Sequence, residues 1–168
     1  MQKIAKGKPE QLEEILTCFE LSSYCEDPSL SKEGIEKALD EGELFLIEQG
    51  KSVLGFAIAT RDIYEAMPSS LYYDIQEEVG IEETNLVFIH GFYIRSTTSF
   101  NEKAKFLFDY LDAYFEKPIY IIQEDAPITN EKEKYLLQHQ ARLFKKDEQS
   151  LIYIKKRIKR GLARELNW

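Results

Sequence analysis

The chain has 168 residues, 43% hydrophobic and 31% charged, with ten Tyr and ten Phe, which suits one folded domain and excludes a disordered chain. A formal net charge of -8 argues against a general affinity for nucleic-acid phosphates or anionic membranes and is compatible with a cationic partner. Cys18 and Cys25 make no disulfide framework, the two His lack zinc-site spacing, and no stretch reaches the ~20 apolar residues of a membrane span, so a cytoplasmic location is expected.

A short strand is predicted around Lys3–Ala5. Pro9 suits the first turn of a helix, in which Leu12, Ile15, Leu16 and Phe19 repeat at i, i+3, i+4 and i+7. Cys18 falls in this pattern as a core residue. A second helix from about Ser31 to Leu39 turns Leu30, Ile35, Ala38 and Leu39 inward, and Gly42 stops it. Leu44–Ile47 and Val53–Ala59 read as a hairpin around Gln49-Gly50-Lys51. Both arms are almost wholly apolar, as in strands covered on two faces.

Residues 61 to about 84 form an acidic insert, with Asp62, Glu65, Asp74, Glu77, Glu78, Glu82 and Glu83 set among Tyr64, Tyr72 and Tyr73. One or two short helices are expected there. Leu86–Ile94 is the most apolar segment and is predicted to be a central strand, with Gly91 at a position suited to a β-bulge. A polar loop, Arg95–Ser99, leads into a helix whose inward face is marked by Phe100, Ala104, Leu107, Phe108, Leu111, Tyr114 and Phe115. Ser99 and Glu102 have the spacing of a capping box. Pro118 ends that helix, and Ile119–Ile122 reads as a short buried strand. A helix from about Thr129 to Gln140 follows, then strands near Arg142–Phe144 and Leu151–Ile154. A basic tail, 155–168, carries Lys155, Lys156, Arg157, Lys159, Arg160 and Arg164.

The order β-α-α-β-β-insert-β-α-β-α-β-β resembles the GNAT superfamily of N-acetyltransferases over nearly the whole chain. So do the helix beginning Pro9-Glu10-Gln11-Leu12 and the hairpin containing Gly55-Phe56-Ala57. The resemblance implies an α/β (α+β) fold in a single domain spanning 1–168. Its sheet would be mixed, mostly antiparallel and flanked by helices, with a central strand pair splayed apart by a bulge. It also implies acetyl-CoA as co-substrate, its pantetheine arm entering that gap beside Phe92, Tyr93 and Ile94.

The family's pyrophosphate loop has the pattern Gln/Arg-x-x-Gly-x-Gly/Ala at a helix start. One register here begins at Arg95 and runs through Ser96, Thr97, Thr98 and Ser99; another begins at Ser99 and recovers only Ala104. Neither contains a glycine, so hydroxyls, Arg95 and the helix N-terminus would have to hold the anion.

Acyl transfer to an amine also needs a base, and the resemblance places His90 near the acceptor, where an imidazole titrating near neutrality suits that role. Asn130 matches the family's Asn. The general acid stays open. Counting forward from Asn130 reaches Leu137, counting back from Phe144 reaches His139, and Tyr135 is the nearest tyrosine. The acceptor would be a primary amine of a small cationic molecule or of a protein, drawn by the acidic insert. The alternative is a catalytically inactive GNAT-fold binding or regulatory protein. A homodimer stays open, and no membrane or nucleic-acid partner is expected.

Overall fold

A computed structural model describes residues 1–22, 28–79, 86–95, 99–116 and 118–156. These form a seven-stranded sheet in the order β1-β2-β3-β4-β5-β7-β6. Strand β1 is Gln2–Lys6, and a single 3-10 turn at Pro9–Gln11 leads into α1, Leu12–Ser22. Helix α2, Lys32–Asp40, begins where the Ser31 side chain accepts from the Gly34 N–H, the expected use of serine at an N-cap. The predicted hairpin is present as β2, Leu44–Gln49, and β3, Ser52–Thr60, with Gly50 at φ 61 in its turn. The acidic insert contains two helices, α3 at Ile63–Ala66 and α4 at Ser69–Val79. Arg61 donates to the Phe115 carbonyl and lies over the Phe115 ring, which ties the start of the insert to the helix described next.

Strand β4 spans Leu86–Ile94 and helix α5 spans Phe100–Phe115. Strand β5 is Ile119–Asp125, longer at its C-terminal end than its apolar run suggests. Helix α6 is Asn130–Gln138, followed by β6, Ala141–Lys146, and β7, Ser150–Lys156. Lys155 and Lys156 therefore belong to the sheet; residues 157–168 of the basic tail lie outside the described residues. The β4–β5 pairing is parallel and the others are antiparallel, so the sheet is mixed and mostly antiparallel.

Alternation along the strands sends residues to two faces. Ile89, Phe92, Tyr120 and Ile122 pack with Leu107, Phe108 and Leu111 of α5 and Tyr135 of α6. On the opposite face, Leu46, Phe56 and Tyr93 pack with Ile15 and Cys18 of α1 and Ile35 of α2. Phe88 and Ile121 pack there with Ile63 of α3 and Ile75 of α4. Cys18 is fully buried, as its place in the apolar stripe predicts, and burial pushes its thiol up to about 12.

Two local expectations are corrected. Ser99 sits in the left-handed region at φ 56 and its side chain makes no capping bond. A capping box needs an extended residue at the N-cap so that its oxygen can reach the N–H two or three residues on, and this backbone turn forbids it. Tyr114 is 44% exposed rather than inward; its ring instead flanks Phe45 and Tyr110 on the rim of the core.

Candidate active site

The site is organised by one irregularity in β4. Against β3, Ala57 faces Phe92 and Ala59 faces Ile89, so β4 carries one more residue than its partner between those pairs. The extra residue falls at His90-Gly91, and Gly91 has φ 81, a conformation that favours glycine. A Cβ there would stand 2.6 Å from the Tyr93 hydroxyl oxygen. The bulge is thus where the sequence places it. On the other edge, pairing with β5 runs from Leu86↔Ile119 to His90↔Gln123 and stops. Beyond that point β4 keeps β3 and β5 keeps β7, and the two central strands part.

His90 projects from the bulge on the α1–α4 face, half-buried. Its Nε2 is 3.1 Å from Ser29 Oγ, and Asp125 at the end of β5 accepts from the Ser29 N–H at 3.2 and 3.3 Å. Burial lowers the imidazole pKa from its ordinary 6.5, and the Asp125 charge opposes that fall.

His90 also lines an open cleft that includes Glu41, Glu43, Asp62 and Glu65 together with Lys37, whose Nζ is 4.0 Å from Glu41 Oε1. Burial raises the Glu43 carboxyl above its usual value, the Thr60 hydroxyl opposes this, and Glu41 and Asp62 add to it. The cleft gathers negative charge beside a base. Of the acidic insert, Asp62 and Glu65 reach it, while Tyr64 and Tyr73 are 68% and 69% exposed on the outer surface.

Among the residues expected at the cofactor, Phe92, Tyr93 and Ile94 are buried at the parting strands. Arg95 donates its N–H to the Leu54 carbonyl at 2.8 Å, so by strand alternation the Phe92 and Ile94 amides face the gap. Ser96, Thr97 and Thr98 lie outside the described residues. Ser99 is exposed at the start of α5 and Ala104 is fully buried one turn further on. Arg95 and the buried Lys103 lie near that start, close enough for both charges to act on Cys18. Asn130 is exposed as the first residue of α6.

Tyr135 and His139 come together, but away from His90. Their rings stack at 4.0 Å, and His139 Nδ1 is 2.7 Å from the Tyr135 carbonyl oxygen, where His139 caps the end of α6. Tyr135 is 1% exposed among Phe92, Phe100 and Phe108, and burial raises its hydroxyl pKa well above the ordinary value of 10. Leu137 is 56% exposed and has no acid to offer.

Sequence reasoning passed over Glu124 and Lys132. Glu124 is 4% exposed and Lys132 8%; Lys132 Nζ donates to Glu124 Oε1 at 2.6 Å, and Glu124 Oε2 accepts the Phe92 N–H at 3.3 Å. A signal existed. Glu124 follows Tyr120 and Ile122 at two-residue spacing, which turns it to the core, and Lys132 stands three and four residues before the inward Tyr135 and Leu136. Glu41, Glu43, Ser29 and Asp125 were also missed, because nothing local links them to β4.

No protein-family model matches the chain, and no curated protein matches it in sequence. Solved structures do match in fold. A GNAT-family acetyltransferase from Streptococcus agalactiae 2603 superimposes with TM-score 0.69 at 13% identity, over 94% of this chain and 96% of that one. PaiA N-acetyltransferase from Thermoplasma acidophilum, solved in complex with coenzyme A, gives 0.67 at 12%, over 93% and 99%. Ribosomal-protein-S18-alanine N-acetyltransferase from Escherichia coli gives 0.65 at 10%, over the whole of both chains. With its bulged β4, parted central strands and mixed sheet, this chain has the fold of the GNAT acetyltransferases.

Proposed function

We propose that the protein transfers an acetyl group from acetyl-CoA to a primary amine of a cationic acceptor, either a small molecule or a protein amino group. One observation carries this reading: at the residue where β4 leaves β5, His90 opens onto a cleft lined by Glu41, Glu43, Asp62 and Glu65. A negative cleft attracts an ammonium group, and a neutral imidazole beside it can take the proton that must leave before nitrogen attacks. His90 is the proposed base. Its depressed pKa keeps it neutral and ready at pH 7. Ser29, held by Asp125, orients the ring.

The thioester supplies an activated acyl group. As the N–C bond forms the C–S bond breaks, and the departing thiolate takes a proton. Phe92, Tyr93 and Ile94 would flank the arm. Arg95, Ser99 and the buried Lys103 would serve the diphosphate with the amides of the first turn of α5, a turn that Ser99 leaves uncapped. Ala104 would pack beneath it. Ser96, Thr97 and Thr98 join this proposal from the sequence alone, as does Asn130. Tyr135 and His139 remain the candidates for the acid.

A second reading is favoured by the Glu124 side chain, which spans the gap between the parted strands. In it the chain is a GNAT-fold binding or regulatory protein without catalysis. A thermal melt with acetyl-CoA, followed by mass spectrometry of an amine panel, separates the two. A raised melting temperature and an acetylated amine, lost in His90→Ala, are expected. No shift with acetyl-CoA, CoA or longer acyl-CoAs would leave the second reading standing.

A further inference from the structure

The residues just before α2 reach His90 through one serine, and three contacts hold that serine in place. Asp125, the last residue of β5, accepts the Ser29 N–H at 3.2 and 3.3 Å on its two oxygens. Leu30 is buried in the core with Ile15 of α1 and Ile35 of α2. The Ser31 hydroxyl accepts the Gly34 N–H at 3.1 Å, which starts α2. From this fixed backbone the Ser29 side chain places Oγ 3.1 Å from His90 Nε2. Ser29 is exposed, and it lines the open cleft with His90.

A serine hydroxyl is a weak nucleophile until a base takes its proton, and a nucleophile within hydrogen-bond reach of a base has the geometry for that transfer. With the imidazole proton on Nδ1, Nε2 accepts from the Ser29 O–H. Burial holds the imidazole neutral at pH 7, and the Asp125 charge favours the imidazolium that forms once the proton has crossed. Folding does not require the contact, because water can satisfy an exposed hydroxyl. The hydroxyl stands where the base would meet an incoming nitrogen, so with no amine in the cleft the group presented to the base is Ser29 itself.

We propose that Ser29 and His90 form a nucleophile–base pair that gives the protein a second activity: with no amine in the cleft, Ser29 Oγ takes an acyl group from an activated ester or thioester, and water releases it. His90 Nε2 takes the Ser29 proton as Oγ bonds to the acyl carbon. The bond from that carbon to the leaving oxygen or sulfur breaks, and the imidazolium returns the proton to the leaving group. Water then attacks the Ser29 ester. His90 takes the proton of the water and returns it to Oγ as the ester bond breaks. The sum is hydrolysis to a carboxylic acid and an alcohol or thiol. An amine seated in the cleft displaces the hydroxyl from Nε2, so hydrolysis and amine acetylation compete for one base. For a thioester donor the inference rests on the acyl-CoA reading above; for an activated ester it stands without it.

The test treats the full chain with p-nitrophenyl acetate and, separately, with acetyl-CoA in amine-free buffer, followed by acid quenching, intact mass and peptide mapping. S29A, S29C and H90Q are run alongside, each checked for its native far-UV spectrum. The expected result is one added acetyl group on the peptide that contains Ser29, removed by neutral hydroxylamine, which cleaves esters and leaves the amides of acetylated lysines intact. S29A should lose this label, S29C should carry it on sulfur, and H90Q should acquire it at least about a hundredfold more slowly. If p-nitrophenyl acetate leaves Ser29 unlabelled, or labels it as fast in H90Q, the pair is not a nucleophile and base, and the inference is overturned. A release of p-nitrophenolate that is undiminished in S29A would overturn it too. Labelling by the ester and not by acetyl-CoA upholds the serine activity and counts against the acyl-CoA reading alone.

Discussion

The two faces of the sheet at the β4 bulge treat charge in opposite ways. On the α1–α4 side, Glu41, Glu43, Asp62 and Glu65 line an open cleft together with His90 and the ammonium of Lys37. On the α5–α6 side and into the gap, a single carboxylate and a single ammonium are sealed, the ammonium against Phe92 of that face and Tyr93 of the opposite one, each dependent on the other. The first arrangement acts through a field that falls off with distance and salt; the second acts by contact and fails if one member is missing. The same bulge serves both faces, because one extra residue turns His90 to one side and the Phe92 amide to the other edge of the strand.

The sharpest way to break this contrast is to remove one partner of the sealed pair. Lys132→Met keeps the length and packing but leaves Glu124 buried without its cation. The expected cost is about 3–5 kcal/mol in urea unfolding. E124L/K132M, which fills the space with apolar groups, should recover most of that loss. A single variant costing under about 1 kcal/mol would show that water reaches Glu124, and that the two faces differ less than the geometry indicates.

The next effect tests the bulge itself. Gly91→Ala must hold φ 81 with a Cβ placed 2.6 Å from the Tyr93 hydroxyl oxygen. The left-handed conformation alone costs a non-glycine residue about 1–2 kcal/mol, and a shift of the Tyr93 ring adds to it. The loss should appear as a lower urea midpoint at unchanged slope. If Gly91→Ala unfolds like the unaltered protein, the bulge is not where the backbone is constrained.

These residues also show what a sequence exposes and what it hides. The apolar run of β4, the all-apolar hairpin and the stripe of α5 are local patterns with periods of two and 3.6, and they placed the elements closely. Gly91 was legible because a lone glycine among bulky residues in a strand has few other uses. The Ser99 capping box was misread, because the motif is defined by side-chain spacing while the bond depends on a backbone angle that spacing does not reveal. Glu41 and Glu43 escaped because they reach the cleft through the strand order β2-β3-β4, and sheet order is not a local property. Tyr135 and His139 were placed by counting toward a family pattern. Their rings do meet, yet on the face away from His90.

A smaller effect tests the open cleft. E43Q/D62N removes two of the carboxylates that line the cleft while leaving the fold's apolar contacts in place. Exposed ion pairs contribute roughly 0.2–1 kcal/mol each, so KM for a diamine acceptor should rise by up to about fivefold per charge, with kcat little changed. The effect should shrink in high salt, because screening already weakens the cleft's field there. Equal loss at low and high salt would mean that these carboxylates act by shape and not by charge.

The finest test is the pH dependence contributed by His90. Burial holds its folded pKa below 6.5, against the pull of Asp125, while Ser29 and the Phe88 ring are its near neighbours on this face. Between the two values the unfolded chain binds the proton more readily, so stability rises with pH across that window. The contribution is complete above 6.5, is lost as pH falls through 6.5 toward the folded value, and stays lost below it. His90→Gln should therefore flatten the difference in urea stability between pH 7.5 and 5.5 relative to the unaltered chain, leaving the shares of all other groups in place. The same lowered pKa places the acid limb of acetyl transfer below 6.5, so stability and rate should decline over one window. If the rate falls on a limb centred above 6.5, the group that titrates is not this imidazole, and the base must be sought among the cleft's carboxylates, where burial has already raised Glu43.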